Sequence, residues 1–202
     1  MNIIEEAVKK LEEKLFGSGC DDGVAVISIK EGGRICPFSS GRCLESAYGG
    51  KSVYMSTGCP FEVKTKVSFM YDSELNDGLK RTAACALVNS LTNFMCFTRL
   101  SSPCSEGMES ECLKKLKEII GDKKVFLNGN MPFLSEKLSS QTVASPEESD
   151  LIIISSDGII SDCGVEITDQ YRDRKEILFT GPGTAGICNI LNLNHFCPYG
   201  NK

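Results

Sequence analysis

The sequence predicts an α/β protein in two parts, with an α+β part over residues 1–105 and a Rossmann-like parallel sheet with flanking helices over 106–202. Two observations predict this fold class. Strand-like runs lie between two long amphipathic helices in the first half, and apolar strands alternate with helical segments in the second half. A loop rich in Ser, Pro and Gly at 99–107, "RLSSPCSEG", marks the boundary between the two parts.

The first part is predicted to begin with a helix at 2–16, because its apolar residues recur on one helical face. Strands are predicted at 23–29, 51–57 and 62–70, with a turn at 31–34. The clearest helix is 77–97, where an apolar stripe lies beside a polar one at the same spacing. The polar stripe is either a solvent-exposed face or a surface that faces a ligand, and its cysteines are unusual for solvent. Its members are Arg81, Cys85, Asn89, Thr92 and Cys96.

The second part is predicted to contain a helix at 108–120 and buried strands at 123–128, 151–155 and 176–180. Each strand ends in a small polar turn, at 128–130, 156–158 and 181–183. Parallel strands bring such turns together at the carboxyl edge of the sheet, which is where open α/β folds bind ligands. We therefore expect a ligand-binding cleft at this edge.

The third turn belongs to the stretch "ILFTGPGTAGICN", in which Gly181, Gly183 and Gly186 spell G-x-G-x-x-G. A dinucleotide site also needs an acidic residue about 20 positions later. Only 16 of the 202 residues follow Gly186, and none of them is acidic. Pro182 also removes an N–H that a phosphate would use. NAD or FAD is therefore not expected, and the loop is either a structural turn or part of a cleft for a different small ligand.

The composition is unusual in its 11 cysteines and its single histidine, His195. No C-x-x-C motif occurs, but a Cys-Pro-aromatic unit occurs three times, beginning at Cys36, Cys59 and Cys197. Proline stiffens the loop after each cysteine and favours an extended backbone. We predict that these three thiolates converge on a soft or transition metal ion, or on an iron–sulfur cluster, with Cys43 or His195 as a fourth ligand.

The alternative for every cysteine is a small buried apolar residue, which we expect for Cys112 and Cys163. A thiol sensor built from Cys85 and Cys96 is disfavoured. Three helical turns separate these residues by roughly 16 Å, which is too far for a disulfide.

The charge and the ends of the sequence limit the partners. The net charge is -5 and no basic run is present, so nucleic acid is not expected as a partner. The apolar runs are too short for a membrane span, and residues 1–17 do not resemble a signal peptide. We expect a cytoplasmic protein that binds a small molecule or a metal and could form a homo-oligomer.

The order of these segments resembles the heavy-metal chelation family. The resemblance is carried by "AACALVNSL", "KVFLNGNMPFL", "PEESDLIIISSDGII" and "EILFTGPGTAGI". It implies a first part similar to the enolase N-terminal domain, a Rossmann-like second part and a cleft between them. Asn89-Ser90 stands where the family carries Asn-Ala, and residues 181–185 replace a Gly-Pro-Ser-Thr-Pro-like loop.

The leading hypothesis is a metal- or metallocofactor-binding protein with cysteine thiolates as ligands and a cleft between its two parts. The alternative is a transferase or lyase that uses the same cleft without metal. The residues expected to line this cleft are Asn89, Asn128, Asp157, Gly181, Gly183 and Thr184.

Overall fold

The protein contains two four-stranded sheets, one antiparallel and one parallel. The computed structural model describes residues 1–32, 35–100 and 102–200. Within these ranges, Asp72 is described by its backbone alone. Parts of the predicted 31–34 turn, 99–107 loop and second domain lie outside the described residues, namely Gly33, Arg34, Ser101 and residues 201–202. The predicted α/β class is confirmed, with the antiparallel sheet first along the chain and the parallel sheet second.

The first part builds the antiparallel sheet, in the order β3-β2-β1-β4. Its elements are α1 (Ile3–Leu15), β1 (Val24–Lys30), β2 (Arg42–Tyr48), β3 (Lys51–Thr57), β4 (Val63–Lys66), α2 (Phe69–Asp72) and α3 (Gly78–Phe94). Asn2 caps α1 by accepting the N–H groups of Ile4 and Glu5. The predicted strand at 62–70 is wrong beyond Lys66, because the chain turns there into α2.

The second part builds the parallel sheet, in the order β5-β6-β7-β8. Its elements are α4 (Glu109–Ile120), β5 (Val125–Asn128), α5 (Pro132–Lys137), β6 (Leu151–Ile154), α6 (Ser156–Ile160), α7 (Asp162–Tyr171), β7 (Glu176–Thr180), α8 (Ala185–Leu191) and β8 (His195–Phe196). Short 3-10 turns lie at Pro146–Glu148 and Pro182–Thr184. Among the described residues, no helix has the length and apolar character that a membrane crossing requires.

The two faces of the parallel sheet are covered by different parts of the chain. Ile152 and Ile154 of β6 pack into a cluster with apolar residues of α1 and α3, which belong to the first part. Leu151 and Ile153 point to the other face and pack with α4 and α5. All four residues are fully buried, as a central parallel strand requires. The two sheets come from consecutive stretches of the chain, whereas the hydrophobic core runs across both parts.

The polar stripe of α3 faces the second part of the protein. Arg81, Asn89 and Thr92 are all at least 96% buried, so the interpretation as a solvent-exposed face is wrong. The Nε of Arg81 donates to the carbonyl oxygen of Ile160 at 2.7 Å, and its guanidinium pairs with the Asp162 carboxylate. The stripe is polar because it binds backbone and side-chain groups of the other part.

Candidate functional site

The carboxyl edge of the parallel sheet, where the cleft was expected, is packed against the first part. The Nδ2 of Asn89 donates to the carbonyl oxygen of Gly183 at 2.7 Å, and its Oδ1 accepts the N–H of Gly186 at 2.7 Å. Nδ2 also donates to the Cys85 carbonyl within α3. The Asn89 side chain therefore joins α3 to the glycine loop, and its polar atoms are used by protein groups.

The glycines of this loop are explained by close packing. A Cβ atom on Gly183 would lie 2.6 Å from the Cβ of Ser156 and 2.7 Å from that of Met55. A Cβ on Gly186 would lie 2.8 Å from the Oδ1 of Asn89. Thr184 is fully buried, and its hydroxyl donates to the backbone carbonyls of the turn. The G-x-G-x-x-G spacing thus permits the first part to approach the sheet closely.

The other two strand-end residues also contact the protein itself. The Asp157 carboxylate accepts the N–H of Gly58 at 2.6 Å and so holds the end of β3 against α6. Asn128 is buried, and its Nδ2 donates to the sulfur of Cys163 at 3.6 Å. Cys163 is exposed, which contradicts its predicted burial. Of the six residues predicted to line a cleft, Asn89, Asp157 and Gly183 thus contact the other part of the protein, and the role of the six in binding a cofactor stays a prediction.

A group of four thiols forms the strongest candidate site, and two of them come from the predicted Cys-Pro units. Cys36 and Cys197 are close enough that a thiolate at Cys36 raises the pKa of Cys197. Phe38 brings them together, because its ring stacks on those of Phe133 and Phe196 at centroid distances of 6.1 and 6.4 Å. The aromatic residue of the first Cys-Pro unit therefore anchors a loop of the first part beside the last strand of the second.

Both Cys-Pro turns direct backbone N–H groups at their own sulfur atoms. The sulfur of Cys36 accepts the N–H groups of Phe38 and Ser39 and the hydroxyl of Ser39. The sulfur of Cys197 accepts the N–H of Gly200. A Cβ on Gly200 would lie 2.6 Å from this sulfur, so glycine permits the approach. Hydrogen bonds of this kind favour the thiolate form of a cysteine and are typical of thiolates that bind metals. Burial outweighs them in the free protein and raises the pKa of Cys36 to about 11.

Cys104 is the third thiol, and it is hydrogen-bonded to Cys197. The S–H of Cys197 donates to the sulfur of Cys104, which lowers the pKa of Cys104 and raises that of Cys197. The backbone holds this pair together. The Ser102 N–H donates to the Gly200 carbonyl at 3.2 Å, and the Cys104 N–H donates to the Ile35 carbonyl at 2.9 Å. Cys104 is thus the thiol of the group most ready to lose its proton.

Cys112 of α4 is the fourth thiol, and it is buried as predicted. Burial, together with the nearby Cys36 and Cys104, raises its pKa to about 12. Tyr199 ties α4 to the turn that carries Cys197, because its hydroxyl donates to Glu111 at 3.1 Å and Lys115 lies 4.5 Å above its ring. We name Cys36, Cys104, Cys112 and Cys197 the thiol cluster.

Three of the predicted metal ligands lie elsewhere. Cys59 packs against the start of α3, where a Cβ on Gly78 would meet its sulfur at 3.1 Å. Cys43 lies on β2, opposite Lys30 and Ser56 of the neighbouring strands. The Nε2 of His195 donates to the Gly181 carbonyl at 2.8 Å. Cys36 and Cys197 are therefore the members of the predicted set that the fold brings close together.

A cavity of about 880 Å³ borders the thiol cluster. Cys104 and Cys43 both line it, together with Lys30, Tyr54 and Glu106. Cys36 and Cys112 are each at most 5% exposed, whereas Cys104 and Cys197 are half-buried. Cys104 is thus the member of the cluster that a molecule in this cavity would meet.

The thiols are near one another without being arranged as ligands. Within residues 1–32, 35–100 and 102–200, no group of three or more His, Cys, Asp or Glu side chains is placed so that it could hold a metal ion. All eleven cysteines are free thiols. Binding of a metal by the cluster would require its sulfur atoms to come closer together.

Comparison with known proteins does not identify a function. No family model matches this chain, and no curated protein matches it. Among solved structures, a protein of unknown function from the DUF364 family of Pyrococcus horikoshii is similar, with 16% identity and a TM-score of 0.49. The match covers 90% of this chain and 79% of that one. We draw nothing about function from a likeness at this level, and the resemblance to the heavy-metal chelation family stays a prediction.

Proposed function

We propose that the protein binds a soft or transition metal ion, or a metallocofactor such as an iron–sulfur cluster, through the thiol cluster. Cys36, Cys104 and Cys197 would be the principal ligands, with Cys112 as the fourth thiol. The observation that carries the proposal is that two Cys-Pro turns from distant parts of the chain meet, each with at least one backbone N–H hydrogen-bonded to its sulfur. This ligand set replaces Cys43, Cys59 and His195 with Cys104 and Cys112.

The chemistry of the cluster fits such a group. Thiolates are the preferred ligands of Cu(I), Zn(II) and iron–sulfur clusters, and N–H···S hydrogen bonds adjust how strongly a thiolate donates to them. Cys36, Cys104 and Cys197 all lie in segments outside the helices and strands. Ligation would therefore rearrange these segments and not the sheets. A reducing compartment such as the cytoplasm would keep the thiols available.

The test is metal analysis of protein purified without oxygen, followed by reconstitution with Zn(II), Co(II) or iron and sulfide. We expect bound metal in the unmodified protein and, with Co(II), a thiolate-to-metal charge-transfer absorption. Cys36→Ser and Cys197→Ser should each abolish this absorption, because each removes one ligand. Cys59→Ser is the matched control, since it alters the third Cys-Pro unit and should retain the metal.

Two results would sink the proposal. One is an unmodified protein that gains no metal on reconstitution. The other is a Cys197→Ser variant that binds metal as well as the unmodified protein does. A metal-free protein whose melting temperature rises with a small anionic metabolite would favour the alternative, an enzyme that works on small molecules without metal. The cavity beside Cys104 would then be its site.

A further inference from the structure

The hydrogen-bonded pair Cys104 and Cys197 has a geometry that suits a second chemistry in the absence of metal. The two thiols are hydrogen-bonded to each other, and neither residue lies in a helix or strand. The backbone bonds from Ser102 to Gly200 and from Cys104 to Ile35 hold their two segments side by side. A disulfide needs Cα atoms within about 7 Å, and irregular segments joined in this way can reach that separation without disturbing the core.

The two thiols differ in access. Cys104 lines the cavity of about 880 Å³, so a small oxidant can reach it. Cys197 lies outside the lining of this cavity, and Gly200 packs against its sulfur. Cys36 is 5% exposed, and its sulfur is already bound by N–H groups of its own turn. In this arrangement Cys104 is accessible to an oxidant, and Cys197 is placed to react with the oxidised Cys104.

We propose that Cys104 is a site of oxidation by hydroperoxides and that Cys197 is the thiol that resolves it into a disulfide. The Cys104 sulfur attacks the terminal oxygen of the hydroperoxide, the O–O bond breaks, and the alcohol leaves with the proton. Cys104 is then a sulfenic acid. The Cys197 sulfur attacks the Cys104 sulfur, the S–O bond breaks, and water leaves with the Cys197 proton. Two thiols are oxidised, and the hydroperoxide is reduced to alcohol and water.

The consequence for metal rests on the proposed function, whereas the disulfide itself does not. A Cys104–Cys197 disulfide removes two thiolates from the thiol cluster and leaves Cys36 and Cys112. Oxidised protein would therefore lose its capacity for metal, and reduction by an external dithiol would restore it. The bond would also tie the C-terminal turn to the loop at 102–105.

The experiment uses the full chain after removal of metal by a chelator and of reductant by gel filtration. Hydrogen peroxide is added, free thiols are alkylated, and the protein is digested and analysed by mass spectrometry without reduction. We expect a cross-linked pair of peptides that contains Cys104 and Cys197, and its loss after treatment with a reductant. Cys104→Ser and Cys197→Ser should abolish this pair. Cys96→Ser and Cys163→Ser, which remove exposed thiols, should leave it unchanged.

Several outcomes would overturn the inference. Cys104 could end as a sulfinic acid with Cys197 still free, or a disulfide could join Cys36 to Cys197 instead. The cross-link is sought in unmodified protein, so a variant that fails to fold does not decide the result. Metal content is measured separately. A protein that binds metal but forms no disulfide would overturn this inference alone, and one that forms the disulfide but never binds metal would overturn the proposed function alone.

Discussion

Asn89 illustrates at the scale of one residue how a predicted ligand-binding side chain becomes a structural one. Its amide donates to two carbonyl oxygens and accepts one N–H, and two of these three bonds cross from the first part to the second. Only 3% of the residue is exposed. An amide is needed here because one partner is a donor and the others are acceptors.

Replacing this amide tests its role. Asn89→Ala should lower the free energy of unfolding by roughly 3 kcal/mol, because buried groups of Gly183 and Gly186 lose partners that cost about 1–3 kcal/mol each when unmade. Denaturant unfolding measures the change. Asn93→Ala on the same helix is the control, since Asn93 is half-buried and makes one bond, to the Thr98 carbonyl. It should cost less than about 1 kcal/mol.

A different result would revive the sequence prediction. If Asn89→Ala leaves stability unchanged while a metal or small molecule no longer binds, then Asn89 serves a ligand and the interface tolerates its loss. Loss of stability together with retained metal binding supports the structural role.

The sequence predicts only those members of the thiol cluster that belong to a local sequence pattern. Proline after Cys36 and Cys197 marks loops that present a thiol, and these two thiols do come together. Cys59 has the same pattern but lies away from the cluster, because it follows β3 and packs against the start of α3. Cys104 and Cys112 have no fixed spacing to the others. They join the cluster through tertiary packing, and the Pro103-Cys104 pair was the one local signal available.

At the scale of elements, the 3-10 turn Pro182–Thr184 acts as a wedge, because it fills the space between the edge of the parallel sheet and the first part. It lies between β3, through Met55, and the start of α6, through Ser156. Asn89 of α3 holds it from a third side. Glycine at 183 leaves room for both neighbours, so the turn transmits any added volume directly to the interface.

Adding one methyl group to this turn should show the effect. Gly183→Ala places a Cβ within 2.7 Å of two others, so we expect a loss of about 2–3 kcal/mol in the free energy of unfolding, as for overpacked cores. Gly78→Ala is the control, since its Cβ would meet only the end of the Cys59 side chain. It should change stability by less than about 1 kcal/mol. Equal melting temperatures for both variants would contradict the wedge.

The elements themselves were predicted where their pattern was strong. Strands at 51–57 and 176–180 and the helix at 77–97 lie where apolar periodicity placed them, within a few residues at the ends. Strand β2 and helix α7 were not predicted. The buried side chains of β2 include Cys43 and Ser46, which point to opposite faces of the sheet, and α7 begins with Asp162 and contains Gly164. Their place depends on neighbours, β1 and β3 for the strand and α6 for the helix, which local sequence does not specify.

For the whole molecule, the shared core means that the two parts stabilise each other. Helix α1 from the N-terminus packs with α3 and with Ile152 and Ile187 of the second part. Arg81 and Asn89 then fix the relative position of the two parts. We infer that unfolding of one part exposes apolar surface of the other, so a change in any residue of the interface acts on both.

His195 should make this shared stability sensitive to mild acid. Burial lowers the pKa of His195 below its ordinary value, although the Gly181 carbonyl partly offsets this. As pH falls through about 6.5, the unfolded chain takes up a proton that the folded protein resists. The unfolded state then binds more protons than the folded state, so the free energy of unfolding decreases as the pH decreases. Denaturant unfolding between about pH 7.5 and pH 5.5 measures this, above the range where carboxylates such as Glu6 titrate.

His195→Gln separates this effect from others, because the amide of Gln can still donate to Gly181 and does not titrate. The lowered pKa of Cys104 changes stability in the same direction, since its thiolate form is lost as pH falls. The difference between the unmodified protein and the variant therefore isolates His195, the single histidine of the chain. We expect the variant to lose less stability across this range. A variant that loses as much as the unmodified protein would show that the folded protein accepts the proton at His195 without cost.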